Sequence, residues 1–144
     1  MASVIEQDKA VTEPLTIEQA TTILAEYQEL WNRGAMSELL DGFTEDIIVE
    51  FADLPPIRGR KELEQMIQAR TARQKGYRLE KTLRCVFGST IVCSWTAEWT
   101  DGLTGRLMKG KGIEFLQHRD GKCCRWESAF NAWDSEAPAR SLFV

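Results

Sequence analysis

A chain of 144 residues with 43% hydrophobic and 28% charged side chains has an ordinary globular composition, and at this length it buries roughly 68–70% of its unfolded surface around one core. The 18 basic and 22 acidic side chains leave a net charge of −4, the wrong sign to attract a polyanion, so no nucleic-acid partner is expected. No apolar run approaches the roughly 20 residues that span a bilayer, and Met1 to Glu13 has neither the basic start nor the apolar middle of a signal peptide; a cytoplasmic protein without membrane attachment is expected.

Residues 1–14 read as a flexible tail, 15–134 as one domain and 135–144 as a second tail. Thr16 and Gln19 form a capping box, after which Ile17, Ala20, Ile23, Leu24, Tyr27, Leu30 and Trp31 recur at helical spacing up to about Arg33, with Gly34 as the stop. Met36, Leu39, Leu40 and Phe43 mark a short second helix that Gly42 and Thr44 break, and Ile47 to Phe51 is the first strand. Pro55 and Pro56 make Asp53 to Gly59 an irregular loop. A third helix turns Leu63, Met66 and Ile67 inward and ends at Gly76.

Four long strands follow, Tyr77 to Phe87, Thr90 to Thr100, Arg106 to Gln117 and Lys122 to Trp133, separated by Gly88-Ser89, Asp101-Gly102 and Asp120-Gly121. Helices first and consecutive strands after them define an α+β domain, with three N-terminal helices on a curved, mostly antiparallel five-stranded sheet. Apolar groups occur on both parities of these strands, and Trp126 has the parity opposite to Cys123 and Arg125. One face therefore meets the helices, and the other is expected to form a homodimer through the sheet face. Cys85, Cys93, Cys123 and Cys124 lie in apolar strands without zinc-type spacing and read as buried thiols, so no metal site is expected.

The order helix, helix, strand, Pro-rich loop, helix, four-strand meander resembles the cone-shaped α+β barrel of the nuclear-transport-factor-2-like superfamily, SnoaL-like polyketide cyclases, ketosteroid isomerase and limonene epoxide hydrolase included. Leu30-Trp31-Asn32 with Phe43-Thr44-Glu45-Asp46, the run Pro56 to Leu63, and Gly121-Lys122 with Arg125 to Phe130 carry the likeness, over roughly residues 15 to 133. The resemblance implies a hydrophobic pocket between helices and sheet, a small apolar or aromatic ligand, and acid-base chemistry without metal or organic cofactor. It names no reaction, because this fold serves isomerases, dehydratases, hydrolases, cyclases and binding proteins alike.

Within that frame the polar candidates are few. His118 lies in a hairpin and reads as exposed, which removes a histidine acid-base pair. The Arg and Asp set of limonene epoxide hydrolase is incomplete, with Trp95-Thr96-Ala97 and Ser128 at those places. Asp53 shares the parity of Phe51, so a carboxylate at the rim of an aromatic pocket, with its charged form disfavoured, is the candidate catalytic group; the bland alternative is a loop aspartate making a local turn bond. Tyr27, Phe51, Trp95, Trp126, Ser128 and Phe130 are candidate ligand contacts, and Arg58 and Arg60 beside Gly59 could catch an anionic ligand group. Lys109 and Lys111 read as guards of a solvated edge. Three readings stay open: an acid-base enzyme acting on a lipophilic metabolite, a non-catalytic small-molecule-binding module, and a scaffold acting through its sheet surface.

Overall fold

The computed structural model describes residues 13–137. Most of both expected tails, residues 1–12 and 138–144, lies outside the described residues. Helix α1 (Ile17–Arg33) starts where Thr16 Oγ1 accepts the Gln19 N–H at 3.0 Å and Gln19 Oε1 accepts the Thr16 N–H at 2.9 Å. It stops at Gly34, whose φ of 70° only glycine adopts cheaply, and it buries Ala20, Leu24, Tyr27 and Trp31. Helix α2 (Met36–Asp41) is followed directly by strand β1 (Phe43–Phe51). Phe43, expected on the helix, is thus the first strand residue, because Gly42 ends α2 before the apolar period can continue.

Strand β2 (Ile57–Arg58), helix α3 (Arg60–Arg73) and strands β3 (Gln74–Phe87), β4 (Thr90–Asp101), β5 (Leu107–Arg119) and β6 (Lys122–Asp134) complete the chain. The sheet has six strands rather than five, in the order β2-β1-β6-β5-β4-β3, and it stays open, with β2 and β3 as edges, instead of closing into a barrel. β1 pairs with β6 in parallel and every other pairing is antiparallel. The additional strand arises in the segment expected to be irregular. Pro55 and Pro56 stop short of it, and Ile57 and Arg58 then pair with Val49 and Ile48 at the sheet's edge, where half of a strand's backbone groups need no partner.

Three local departures have physical causes. Helix α3 ends at Arg73 and the chain passes straight into β3, so Gly76, with φ of 64°, lies inside a strand at a register shift instead of capping the helix. In β6 the register slips between Cys123 and Arg125, which skips Cys124 and turns both Cys123 and Trp126 into the core; the two-sidedness expected of this strand does not occur there. A similar shift between Leu83 and Cys85 leaves Cys85 exposed, so buried thiols hold for Cys93 and Cys123 but not for Cys85.

The helices cover one face of the sheet. Leu24, Trp31, Leu39, Leu63 and Ile67 from the helices meet Val49, Leu79, Ile91, Leu116 and Trp126 from the strands in one core. Among the described residues no helix is long and apolar enough to cross a membrane.

Candidate functional site

The helix-facing side of the sheet is not filled along its whole length. Between α1, α3, the Pro-rich loop and the inner surface of β3 to β6 lies a cavity of about 230 Å³. Trp31, Phe51, Tyr77, Trp95, Trp99, Trp126 and Phe130 line it with aromatic rings. The partly exposed Leu54, Pro55 and Phe130 mark its rim.

Strand register explains why the space exists. One row across the sheet runs Lys81, Trp95, Gly112, Phe130, and the next runs Leu83, Cys93, Glu114, Ser128, Phe51. Gly110 and Gly112 supply no side chain on β5, so the large rings of neighbouring strands lie over its backbone. A Cβ at Gly112 would sit 2.7 Å from the Ala129 carbonyl oxygen and 2.9 Å from the Trp95 ring, and one at Gly110 would meet the Trp99 and Trp95 rings at 3.1 and 3.2 Å. Lys109 and Lys111 alternate with these glycines and are exposed on the outer face; β5 is an interior strand, so they guard no edge.

The charged residues of the wall are Arg70, Lys81 and Glu114. Arg70 is committed to the wall itself. Its guanidinium lies 4.6 Å from the Trp31 ring centroid and 5.0 Å from that of Tyr77, and it donates to Tyr77 Oη and Gln74 Oε1, each at 2.7 Å. Lys81 reaches across β4 to form an ion pair with Glu114 Oε1, the two side chains being 5% and 3% exposed. Trp126 Nε1–H donates to Glu114 Oε2 at 2.9 Å, and the Cys93 thiol lies 3.4 Å from Oε1. Burial is the main cause that pulls the Lys81 ammonium down to about 8, with Arg70 pushing the same way. Burial also pushes the Cys93 thiol up, so it remains protonated at neutral pH.

Two further polar groups of the wall, Trp95 Nε1–H and the Ser128 hydroxyl, are buried and without a protein partner. Such a group costs on the order of 1–3 kcal/mol if nothing satisfies it, which favours a ligand or solvent oxygen beside it.

Of the residues singled out in the sequence, Phe51, Trp95, Trp126, Ser128 and Phe130 line the cavity. Asp53 does not: it is exposed. The turn closed by Leu54 N–H donating to the Phe51 carbonyl at 2.8 Å, with Ala52 at a φ of 44°, ends the strand alternation after Phe51, so strand parity no longer applies to Asp53. Arg58 is exposed on β2, with its backbone N–H held by Glu62, while Arg60 donates to the Phe43 carbonyl and pairs with Glu45. Tyr27 also lies away from the cavity. Its ring stacks on Phe43 with centroids 6.0 Å apart, and its hydroxyl is 3.2 Å from His118 Nε2; Trp31, one helical turn later, is the α1 residue that reaches the cavity.

His118, expected to be exposed, is 4% exposed. Its Nδ1 faces the Leu116 carbonyl at 3.1 Å, which makes Nδ1–H the donor and leaves Nε2 to accept from Tyr27. Burial holds this imidazole below its ordinary range and pushes the Tyr27 phenol above its own.

Sequence reasoning missed Lys81 and Glu114, although strand parity carries the signal. Glu114 alternates in phase with Gly110, Gly112 and Leu116, and Lys81 with Tyr77, Leu79 and Leu83, which puts a charge on each inward-facing row.

Among solved structures, the enzyme SalBIII, described as epoxide hydrolase/cyclase-like and acting in pyran ring formation in the polyether salinomycin, superposes with a TM-score of 0.72 at 19% identity, over 81% of this chain and 96% of that one. A candidate isomerase from Bacillus subtilis gives a TM-score of 0.70 at 19% identity, with 79% and 87% covered. A candidate polyketide cyclase from Xanthomonas campestris pv. campestris gives 0.68 at 21% identity, with 78% and 91% covered. At these identities the likeness establishes the fold. No curated protein matches the sequence. Residues 24–126, from within α1 to the cavity-lining Trp126, match the sequence pattern of the SnoaL-like domain, and the chain belongs to that family.

Proposed function

We propose that the protein is a cofactor-independent acid-base enzyme acting on a small lipophilic carbonyl compound, with Glu114 and Lys81 in place of Asp53 as the proton-transfer groups. The observation that carries this reading is the Lys81–Glu114 ion pair in the wall of a largely apolar cavity. A buried ion pair is weak evidence for stability, since well-packed apolar residues of similar volume often serve as well or better. In a cleft, the same pair is a poised acid and base.

In this reading Trp95 Nε1–H and the Ser128 hydroxyl hold the substrate carbonyl oxygen, Glu114 takes the α-proton, and Lys81 balances the charge that moves. The cavity is about half again larger than the roughly 150 Å³ apolar cavity that accommodates benzene, which suits a ligand of about nine or ten non-hydrogen atoms. Membership of the SnoaL-like family, with structural neighbours named as an isomerase and a polyketide cyclase, supports small-molecule chemistry.

Deuterium incorporation α to the carbonyl of 1-indanone, followed by NMR in D₂O, tests this. Protein-dependent exchange is expected to fall by about 10²–10⁴-fold in Glu114→Gln and to be unchanged in Asp53→Ala. Exchange that ignores Glu114 removes the mechanism.

A second reading, a binding module without chemistry, is favoured by one observation: Glu114 is already engaged by Lys81, Trp126 and Cys93. Stabilisation of the fold by 1-indanone without any isotope exchange selects it. As for assembly, the exposed Ile113 and Phe115 on the outer sheet face support a homodimer. A monomer mass by light scattering at micromolar protein would remove that part.

A further inference from the structure

We propose that Lys81 forms a reversible imine with small apolar aldehydes and ketones that enter the cavity, Glu114 serving as the proton shuttle. The proposal rests on the carbonyl-binding reading above and adds a covalent step to it.

The geometry suits an amine nucleophile. Lys81 arises from β3, spans β4 and presents Nζ at Glu114 in the wall of the cavity, with Trp95 beside it in the same cross-sheet row. A nucleophilic amine must be free of its proton, and here the acceptor for that proton, Glu114 Oε1, is already in contact. The aromatic walls keep the ammonium poorly solvated, which works in the same direction as the fall of Lys81 toward about 8. Among the described residues the other lysines, Lys61, Lys75, Lys109, Lys111 and Lys122, are all exposed.

The step balances as follows. The Lys81 ammonium gives a proton to the Glu114 carboxylate. The freed nitrogen lone pair forms a bond to the carbonyl carbon while the C=O π pair moves to oxygen. That oxygen gains a proton as the nitrogen loses one through Glu114, which gives a neutral carbinolamine. The Glu114 carboxyl then protonates the hydroxyl, water leaves, and the nitrogen lone pair closes the C=N bond. The product is an iminium beside a carboxylate, so the cavity begins and ends with one cation paired to one anion. No oxidant or reductant is involved. The iminium makes the neighbouring C–H more acidic, which joins this step to the proton transfer assigned to Glu114.

The test is reductive trapping. The full-length protein is incubated with 4-ethylbenzaldehyde and sodium cyanoborohydride near neutral pH, and the sites gaining the mass of the aldehyde less one oxygen are mapped by peptide mass spectrometry. Lys81 is expected to be labelled at least about tenfold faster than any surface lysine, because it alone lies in the cavity wall with a carboxylate in contact to take its proton. Labelling spread over the surface lysines, with Lys81 at or below their rate, overturns the proposal. In Lys81→Arg, and in the double variant Lys81→Met with Glu114→Gln should the first fail to fold, the fast site disappears while surface labelling continues; a fast site that persists also overturns it. Thermal shift with 4-ethylbenzyl alcohol, which cannot form an imine, separates the two layers. If the alcohol stabilises the protein but Lys81 is not trapped, the imine fails alone. If neither ligand acts, the carbonyl-binding reading fails with it.

Discussion

Replacing Lys81 by methionine leaves the Glu114 carboxylate in a site where both partners are 5% exposed or less, and replacing Glu114 by glutamine strands the Lys81 ammonium in the same place. Removing one member of a buried pair costs about 3–5 kcal/mol, because the survivor keeps its desolvation penalty and loses its counter-charge. For a domain of this size, roughly 3 °C of melting temperature accompanies each kcal/mol, so either single variant should melt roughly 10–15 °C lower. The double variant is different in kind. Methionine fills the space of the lysine stem, and glutamine keeps an oxygen for Trp126 Nε1–H, now bonded at 2.9 Å, so no charge is left unpaired. Its loss should fall short of the sum of the singles by at least about 2 kcal/mol. The assay is a double-mutant cycle in urea, read by circular dichroism and by tryptophan fluorescence. Single variants each within about 1 kcal/mol of the parent, or losses that add to within about 0.5 kcal/mol, would refute the reasoning, since two solvated or uncoupled groups behave that way.

Two other expectations are as specific. His118 is held below its ordinary value of about 6.5, so below that pH the unfolded chain takes up a proton that the folded chain refuses. The contribution of neutral His118 is complete above about pH 6.5 and is lost as pH falls from there toward the folded value; a His118→Gln variant should flatten the urea-midpoint profile between about pH 6.5 and 5, and an unchanged slope would contradict the buried, neutral assignment. Gly112→Ala should cost about 1–3 kcal/mol and weaken 1-indanone binding, because its Cβ meets backbone oxygen at 2.7 Å, whereas Gly110→Ala, which meets only ring atoms at 3.1 Å or more, should cost less; equal losses in chemical denaturation would contradict the packing argument.

The helices and the meander were legible because their signals are local. The Thr16–Gln19 capping box, the Gly34 stop and the hairpin glycines each act over a few residues, and each appears in the structure where the sequence places it. The sixth strand was not legible, because two residues after a Pro-Pro pair carry no periodicity and their pairing depends on β1 being beside them. Bulges mattered more. A single skipped residue at Cys124 reverses the face on which every later β6 residue lies, and no composition signal announces it. Phe51, Trp95, Trp126 and Phe130 lie in the cavity wall, where strand alternation turns large rings to the helix-facing side. Asp53 is expected at the cavity only if parity is extended past Phe51 into a turn, whereas Glu114 and Lys81, lying in strands where parity does hold, are not among the residues singled out in the sequence. Their meeting across β4 is a contact between residues 33 positions apart, which no local pattern announces.

The most direct measurement is a crystal structure of the protein soaked with 1-indanone. The account predicts the ketone inside the aromatic cavity, its oxygen within hydrogen-bonding distance of Trp95 Nε1 or Ser128 Oγ and its α-carbon toward Glu114. Electron density for the ketone on the outer sheet face alone, or a cavity closed by inward rotation of Trp95 and Phe130, would contradict it.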